Sequence, residues 1–315
     1  MRGELRLVLL GKPQFTLNDR RLTLDQLPVK GAALLAYLAV TRQEHSRTAL
    51  AGLLWGDMPE DRARANLRLS LTKLRQHLGD YLLTSRQSIA FNVDYLHWLD
   101  LAEFEAFLAT SNLQSPISSL QSALSLYRGD FLDDFQVAGA PEFEAWRLDQ
   151  RERLRLLALE ALDRLADLEQ QAGHLLLAIE TTRRLLVLEP WQEEAHRRLM
   201  ALLAQTGQRS AALAQYETCR RLLAAELGVV PAPETMAGYQ RSRHNNEQLT
   251  INSEQLTISN EQLTNPPPNS STPPLLHPSN LPVFQPSHLY PLFVARERGL
   301  GELATALATA RAGQG

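Results

Sequence analysis

The stretch EDRARANLRLSLTKLRQHLG, residues 60–79, decides how the N-terminal part of the chain folds. Its leucines recur at the spacing of one helix face, at Leu67, Leu71, Leu74 and Leu78, and this narrow apolar stripe must face a core. The opposite face carries small and polar side chains, and no acidic residue occurs from 62 to 79. We therefore predict a long amphipathic helix with a basic exposed face.

The exposed face of this helix has the composition of a helix that enters the major groove of DNA. Cationic flanks would contact phosphates, while shorter central side chains would reach base edges. The candidate DNA-binding residues on this helix are Arg62, Arg64, Arg68, Leu69, Thr72, Lys73, Arg75 and Gln76. A solvated amphipathic helix without a partner has the same pattern, so the choice depends on the neighbouring elements.

Two shorter helices and a small antiparallel sheet are predicted before the basic helix. The sheet turns at Asn18 and Asp19, between two alternating segments. Pro28 precedes an apolar helix, and Ser46 is a favourable N-cap for a second helix that ends at Gly56.

A β-hairpin is predicted directly after the basic helix. Residues 81–84 and 89–93 alternate around the polar residues SRQS, which places Arg86 at the hairpin tip. Arg86 is therefore a further candidate for contact with the DNA backbone or the minor groove. A solvated turn residue would give the same pattern, and both interpretations stay open.

The middle of the chain, from Leu101 to about residue 243, predicts an all-α domain. Gly173 and Ala178 recur as Gly207 and Ala212, each 34 residues later, which is the repeat length of tetratricopeptide helix pairs. Stacked helix pairs need a small residue where their helices cross, because the helices bury their apolar faces only when they approach closely. A chance alignment of two helical hairpins is the alternative.

Residues 33–40 (ALLAYLAV), 46–79 and 98–108 (WLDLAEFEAFL) resemble the OmpR-type winged helix-turn-helix domain of SARP-like bacterial regulators. The resemblance implies that the third helix inserts into the major groove and that the hairpin contacts the adjacent minor groove. It also implies that Arg68, Thr72, Lys73 and Arg75 face DNA. Leu69 departs from the family pattern, which commonly has a polar residue there. It would pack on a thymine methyl group or weaken base discrimination.

The helical part of the chain is similar to the bacterial transcriptional activator domain of the same regulators. The similarity rests on residues 123–135 (ALSLYRGDFLDDF), 141–166 and 189–235, and the two resemblances together cover roughly residues 5–243. They imply RNA polymerase as a partner and a homodimer on DNA repeats as a further assembly. The predicted fold class is mainly α with a small β component: a winged helix-turn-helix domain followed by an all-α tetratricopeptide-like domain.

We predict four segments: 1–98, 99–243, a disordered low-complexity linker over 244–290, and the start of an ATPase domain over 291–315. The linker contains NNEQLT, NSEQLT and SNEQLT at a seven-residue spacing, followed by a proline-rich stretch. Residues 291–315 resemble the beginning of STAND-class ATPase domains, with Ala295 in place of the usual glycine. They end before any GxxxxGK[ST] loop, so no nucleotide chemistry is expected.

Composition excludes several classes of function. The chain is 44% hydrophobic and 21% charged, and no apolar run approaches the roughly 20 residues of a membrane span, so we expect a cytoplasmic protein without a membrane partner. Cys219 is the sole cysteine, which rules out an intramolecular disulfide and a cysteine-based zinc site and favours a buried apolar role. The net charge of −3 means that any attraction to DNA must come from local clustering.

Candidate catalytic residues are scattered. Asp133, Asp134, His174 and His196 show no paired carboxylates, metal-ligand spacing or nucleophile elbow, and we expect them on helix surfaces. Trp146, Trp191 and Tyr216 are expected in the core. The chain is therefore not expected to be an enzyme or to bind a cofactor or metal.

The sequence predicts a sequence-specific transcriptional regulator, an activator that binds repeats in double-stranded promoter DNA and helps to recruit RNA polymerase. The alternative is a helical-repeat scaffold that binds a protein or peptide and has lost DNA binding. Salt-dependent affinity for DNA would distinguish the two, because phosphate contacts release counterions.

Overall fold

The computed structural model describes residues 4–23, 25–111 and 115–243. These residues lie within one compact unit, Met1–Ile258. The predicted linker over 244–290 and the predicted ATPase start over 291–315 lie outside the described residues.

The N-terminal sheet has four strands, because a later strand joins the three antiparallel strands that begin the chain. Strands β1 (Leu5–Val8), β2 (Gln14–Leu17) and β3 (Arg20–Arg21) are antiparallel, and β7 (His97–Leu99) pairs with β1 in parallel. The turn between β2 and β3 has left-handed backbone angles, with φ of 54° at Asn18 and 60° at Asp19. These residue types tolerate that conformation, as the sequence indicated.

Three helices follow the first three strands. They are α1 (Val29–Thr41), α2 (Arg47–Trp55) and α3 (Glu60–Leu78). The Ser46 side chain caps α2 by accepting a hydrogen bond from the Ala49 N–H at 3.1 Å. The four leucines of the α3 stripe are each at most 4% exposed, so the amphipathic prediction for this helix is confirmed.

The predicted hairpin is present and carries an additional strand. Strands β5 (Leu82–Thr84) and β6 (Ser88–Phe91) are antiparallel, and the short strand β4 (His45–Ser46) pairs with the other side of β6. Because β4 leads directly into α2, this pairing joins the hairpin to the beginning of α2.

The rest of the described chain is helical: α4 (Asp100–Thr110), α5 (Pro116–Leu126), α6 (Pro141–Gln171), α7 (Leu175–Leu188), α8 (Glu193–Gln205) and α9 (Arg209–Leu222). A π-helical segment, Leu223–Leu227, and a helix over 233–243 follow α9. Residues 127–140 depart from the helical expectation. They form turns and an isolated bridge between Phe131 and Leu10.

The geometry of the helical domain repeats with the 34-residue period. Gly173 and Gly207 end their helices in the left-handed region, with φ of 77° and 78°. The following residues make equivalent bonds, from the His174 N–H to the Glu169 carbonyl and from the Gln208 N–H to the Leu203 carbonyl, both at 2.8 Å. Ala178 and Ala212 are fully buried in the same apolar cluster. These two alanines are the small residues that close helix packing requires.

One core spans the predicted boundary at residues 98 and 99. Its side chains come from β1, from α1–α3, from α4 and from the beginning of α6. Beside this core, the fully buried Asp100 carboxylate accepts bonds from the N–H groups of Leu9, Leu10 and Leu101, at 2.8–2.9 Å. Burial raises the pKa of Asp100, and these bonds partly offset the rise. The position of the boundary remains a prediction.

Several residue-level expectations are wrong. Trp191 is 44% exposed, because it lies in the turn between α7 and α8 rather than on an inward helix face. His196 is buried, with its ring 2.8 Å from the Pro190 carbonyl oxygen, and burial lowers its pKa. Asp133 and Asp134 lie in a turn that follows Phe131, not on a helix.

Other residues lie where they were expected. Trp146 is partly buried and packs on Tyr37, Phe131 and Phe143 against the main core. Tyr216 is buried and stacks on Tyr239 with ring centroids 4.2 Å apart. Cys219 is fully buried, and burial raises the pKa of its thiol to about 11. In the described part of the chain, no helix is both long enough and apolar enough to cross a membrane.

Candidate nucleic-acid interface

The rotation of α3 about its axis is fixed by its buried leucine stripe. With that stripe inward, the candidate residues all lie on the exposed surface, as does Arg86 at the tip of the hairpin. The candidates on α3 are Arg62, Arg64, Arg68, Leu69, Thr72, Lys73, Arg75 and Gln76. None of these side chains is needed to build the core, so each is accessible to a partner.

Two adjoining clefts lie between α3, the first turn of α2 and the hairpin. Both are lined by Arg47 and Arg68. The first cleft also contains Ser46, Thr48, Arg64, Leu67, Arg86 and Gln87. The second also contains Leu71, Thr72, Arg75, Gln76 and Thr84. Five arginines therefore surround one continuous concave surface, which we call the arginine clefts.

Arg47 was not among the residues that the sequence predicted. Its Nε donates to the Ser85 carbonyl at 3.0 Å, and its backbone N–H donates to the Gln87 carbonyl at 2.9 Å. Arg47 thus fastens the hairpin tip, and with it Arg86, to the first turn of α2. Its position directly after the Ser46 cap was a usable signal, because the first turn of a helix is a favourable place for an anion.

Arg62 and Lys73 lie apart from the arginine clefts. Neither side chain lines them. At about 100° per residue, both fall on the side of α3 opposite to Arg68 and Arg75. The predicted basic residues are therefore divided between two flanks, with Leu69, Thr72 and Gln76 between them.

Most cations on this surface have no acidic partner. Among the described residues, Arg62, Arg68, Lys73, Arg75 and Arg86 make no ion pair. Arg64 is the exception, since it pairs with Glu60 one turn earlier on α3. Unpaired, adjacent cations create a positive local potential that the net charge of the chain conceals.

The Thr72 hydroxyl is oriented by its own helix. It donates a hydrogen bond to the Arg68 carbonyl at 2.9 Å. Its proton is therefore used within the helix, and its oxygen remains able to accept a bond from a base. The methyl group of Thr72 is a second feature that a base edge can contact.

The helical half of the chain has a defined family. Residues 99–243 match the family described as Bacterial transcriptional activator domain. The chain is 31% identical to the Regulatory protein AfsR of Streptomyces griseus over 226 residues, which are 68% of this chain and 22% of that protein. It is 27% identical to the Transcriptional regulatory protein MoaR1 of Mycobacterium tuberculosis over 254 residues, 76% of this chain and 79% of that protein.

The fold has a counterpart among solved structures. The structure of Mycobacterium tuberculosis EmbR in complex with low affinity phosphopeptide superposes with a TM-score of 0.58, at 22% identity, over 82% of this chain and 71% of EmbR. A winged helix-turn-helix followed by an activator domain defines a class of bacterial regulators. Residues 99–243 belong to the bacterial transcriptional activator domain family, and the chain is similar to SARP-like transcriptional regulators of that class. It spans about a fifth of the length of AfsR.

Proposed function

We propose that the chain binds double-stranded promoter DNA through α3 and activates transcription. The observation that carries this proposal is the set of unpaired arginines around the arginine clefts. Helix α3 lies in the major groove, and the hairpin with Arg86 lies against the adjacent minor groove. This arrangement is the common docking mode of helix-turn-helix domains, in which a recognition helix carries the base contacts.

The division of the basic residues supports this orientation. Arg68 and Arg75 flank one side of α3, while Arg62 and Lys73 flank the other. A helix in the major groove lies between two phosphate backbones, so cations are useful on both flanks and base contacts in the middle. The first turn of α2 adds Arg47, a further cation beside this surface.

RNA polymerase and a second copy of the chain are the further partners in this proposal. The support for the polymerase is the activator family of residues 99–243 and the regulatory names of the relatives. A homodimer would occupy two successive DNA repeats. In this proposal the protein acts in the cytoplasm, where the promoter DNA lies. No enzymatic activity is part of the proposal.

The DNA-binding proposal is tested with the full chain and duplexes selected from a random library. We expect affinity to fall by orders of magnitude between about 50 and 200 mM salt, because several phosphate contacts release counterions. The double variant Arg68→Gln, Arg75→Gln should reduce the slope of log K against log salt by about two units. Fluorescence anisotropy at four or more salt concentrations measures both.

A matched control removes a cation elsewhere. Arg183 is exposed on α7 and, like Arg68 and Arg75 on α3, makes no ion pair with described residues. Arg183→Gln should leave affinity and salt slope unchanged. Absence of DNA binding by the unmodified chain, or an equal loss in the control, would contradict the proposal and favour the scaffold function.

The dimer and polymerase parts have their own test. On templates with two copies of the selected site, spacings of one helical turn should give cooperative binding and increased transcription by purified polymerase. Shifting one copy by half a turn places it on the opposite side of the duplex. Cooperative binding and activation that are unaffected by this shift would contradict a dimer on repeats.

A further inference from the structure

We propose that Leu69 is a specificity-determining residue that recognises the methyl group of thymine. This inference rests on the proposed binding of α3 in the major groove. It goes further by naming the base that one position of the helix selects.

The first observation is the exposure of Leu69. Its side chain is 64% exposed, the highest value among the exposed large apolar side chains of the described residues up to 98. Leu67 and Leu71, two positions away on either side, are buried. Leu69 therefore contributes nothing to the core, although it lies within the most apolar segment of α3.

The second observation is that the helix cannot turn to bury it. Leu69 lies about 200° around the helix from Leu67. Rotating α3 to bring Leu69 inward would expose the four leucines of the stripe, and that loss exceeds the gain from one side chain. A single exposed leucine is common on protein surfaces, so its surroundings must decide whether it has a role.

The positive charges beside Leu69 indicate that DNA contacts this face of α3. Unpaired cations lie on both sides of Leu69, with Arg68 on one flank and Lys73 on the other. If these cations contact the two phosphate backbones, Leu69 is held between them against the base edges. A leucine has no hydrogen-bonding group, so it cannot read the donors and acceptors of a base. The 5-methyl group of thymine is the apolar feature of the major groove that it can contact.

Two further residues on the same face are suited to T·A pairs. Gln76 lies two helical turns, about 10 Å, beyond Leu69 and would contact a different base pair. Its side chain is suited to bond adenine N6 and N7, as glutamine does in the major groove. Thr72 adds another methyl group beside Leu69. We therefore expect at least one T·A pair under the middle of α3.

The test removes only the methyl group. In the duplex selected by the full chain, each thymine is replaced in turn by deoxyuridine, which leaves every hydrogen-bonding group unchanged. At one or two positions the substitution should weaken binding of the unmodified chain by about fourfold, the effect of one buried methyl group. Leu69→Ala should bind the original duplex more weakly and lose this sensitivity.

The control is another exposed leucine. Leu148 on α6 is 52% exposed, and Leu148→Ala should keep the full deoxyuridine effect. Deoxyuridine without effect at every position, or an equal effect in Leu69→Ala, would overturn the inference while leaving DNA binding intact. Failure of the unmodified chain to bind any duplex would instead overturn the proposed function and this inference together.

Discussion

Helix α3 and the helical domain use arginine in different ways. In the helical domain, Arg198 bridges Asp163 at 2.7 Å and Asp167 at 3.0 Å, and Arg153 joins α6 to Glu105 of α4 at 2.7 Å. On α3, the exposed Arg68 and Arg75 make no ion pair with described residues. The same residue type therefore holds helices together in one region and remains unneutralised in the other.

The difference separates charges that stabilise the fold from charges that await a partner. Substitution of a paired or buried charge should lower the free energy of unfolding and leave DNA affinity per folded molecule unchanged. Substitution of an unpaired charge on α3 should weaken DNA binding and leave the free energy of unfolding unchanged. The predictions below measure one or both of these quantities.

The largest effect is expected at Asp100, the buried charge between β1 and α4. Asp100→Asn replaces one acceptor oxygen by an N–H donor that faces backbone N–H groups. We expect the free energy of unfolding to fall by roughly 2 to 4 kcal/mol, because a buried donor loses its acceptor. Urea denaturation followed by circular dichroism measures this loss.

Asp94→Asn is the control for this substitution. Asp94 is exposed and its carboxylate makes no ion pair with a described residue, so stability should change by less than about 0.5 kcal/mol. Equal effects of the two variants would show that Asp100 does not join the two halves of the core.

A smaller loss is expected where the two repeats pack without charges. Ala212→Leu introduces three carbon atoms into the crossing of α8 and α9, where Ala212 is fully buried. Overpacking should cost about 1 to 3 kcal/mol. Ala201→Leu, at an exposed position of α8, should cost almost nothing. Identical unfolding curves for both variants would contradict the 34-residue register.

The third prediction compares two arginines directly. Arg198→Ala should lower the free energy of unfolding by about 1 kcal/mol, since its partners are partly solvated, and should not change DNA affinity. Arg75→Ala should leave stability unchanged and flatten the salt slope by about one unit. Exchanged outcomes, with Arg75 affecting stability and Arg198 affecting the slope, would reverse the comparison.

Local patterns in the sequence were sufficient to predict the secondary-structure elements around α3. The leucine spacing, the Ser46 cap and the hairpin around Arg86 each depend on a few neighbouring residues, and the structure agrees with them. Contacts between distant segments were not predicted. The parallel pairing of β7 with β1 and the Asp100 bonds to Leu9 and Leu10 join residues about 90 positions apart, which no local period records.

The candidate site was predicted only in part, because it too depends on contacts between distant segments. Helical periodicity identifies which residues of α3 are exposed, but not which of them face the hairpin. The place of Arg47 in the arginine clefts, and the separation of Lys73 from them, depend on how α2 and the hairpin lie beside α3. His196 was misassigned because its burial depends on contacts with Pro190 and Gln215, which belong to different segments.

The smallest effect should distinguish base reading from charge attraction, and it concerns Thr72. Its proton is bonded to the Arg68 carbonyl, so only its oxygen lone pairs and its methyl group are available to a base. Thr72→Val keeps the methyl group and removes the acceptor, whereas Thr72→Ser keeps the acceptor and removes the methyl group.

If Thr72 accepts a bond from an adenine or cytosine amino group, Thr72→Val should weaken binding to the selected duplex by about 1 kcal/mol, the net value of one hydrogen bond. Binding to a scrambled duplex should change little, because phosphate contacts carry no base information. Thr72→Ser should retain the hydrogen-bond contribution. Titrations of both variants on both duplexes at one salt concentration measure these differences, and an equal loss on the two duplexes with Thr72→Val would place Thr72 away from the base edges.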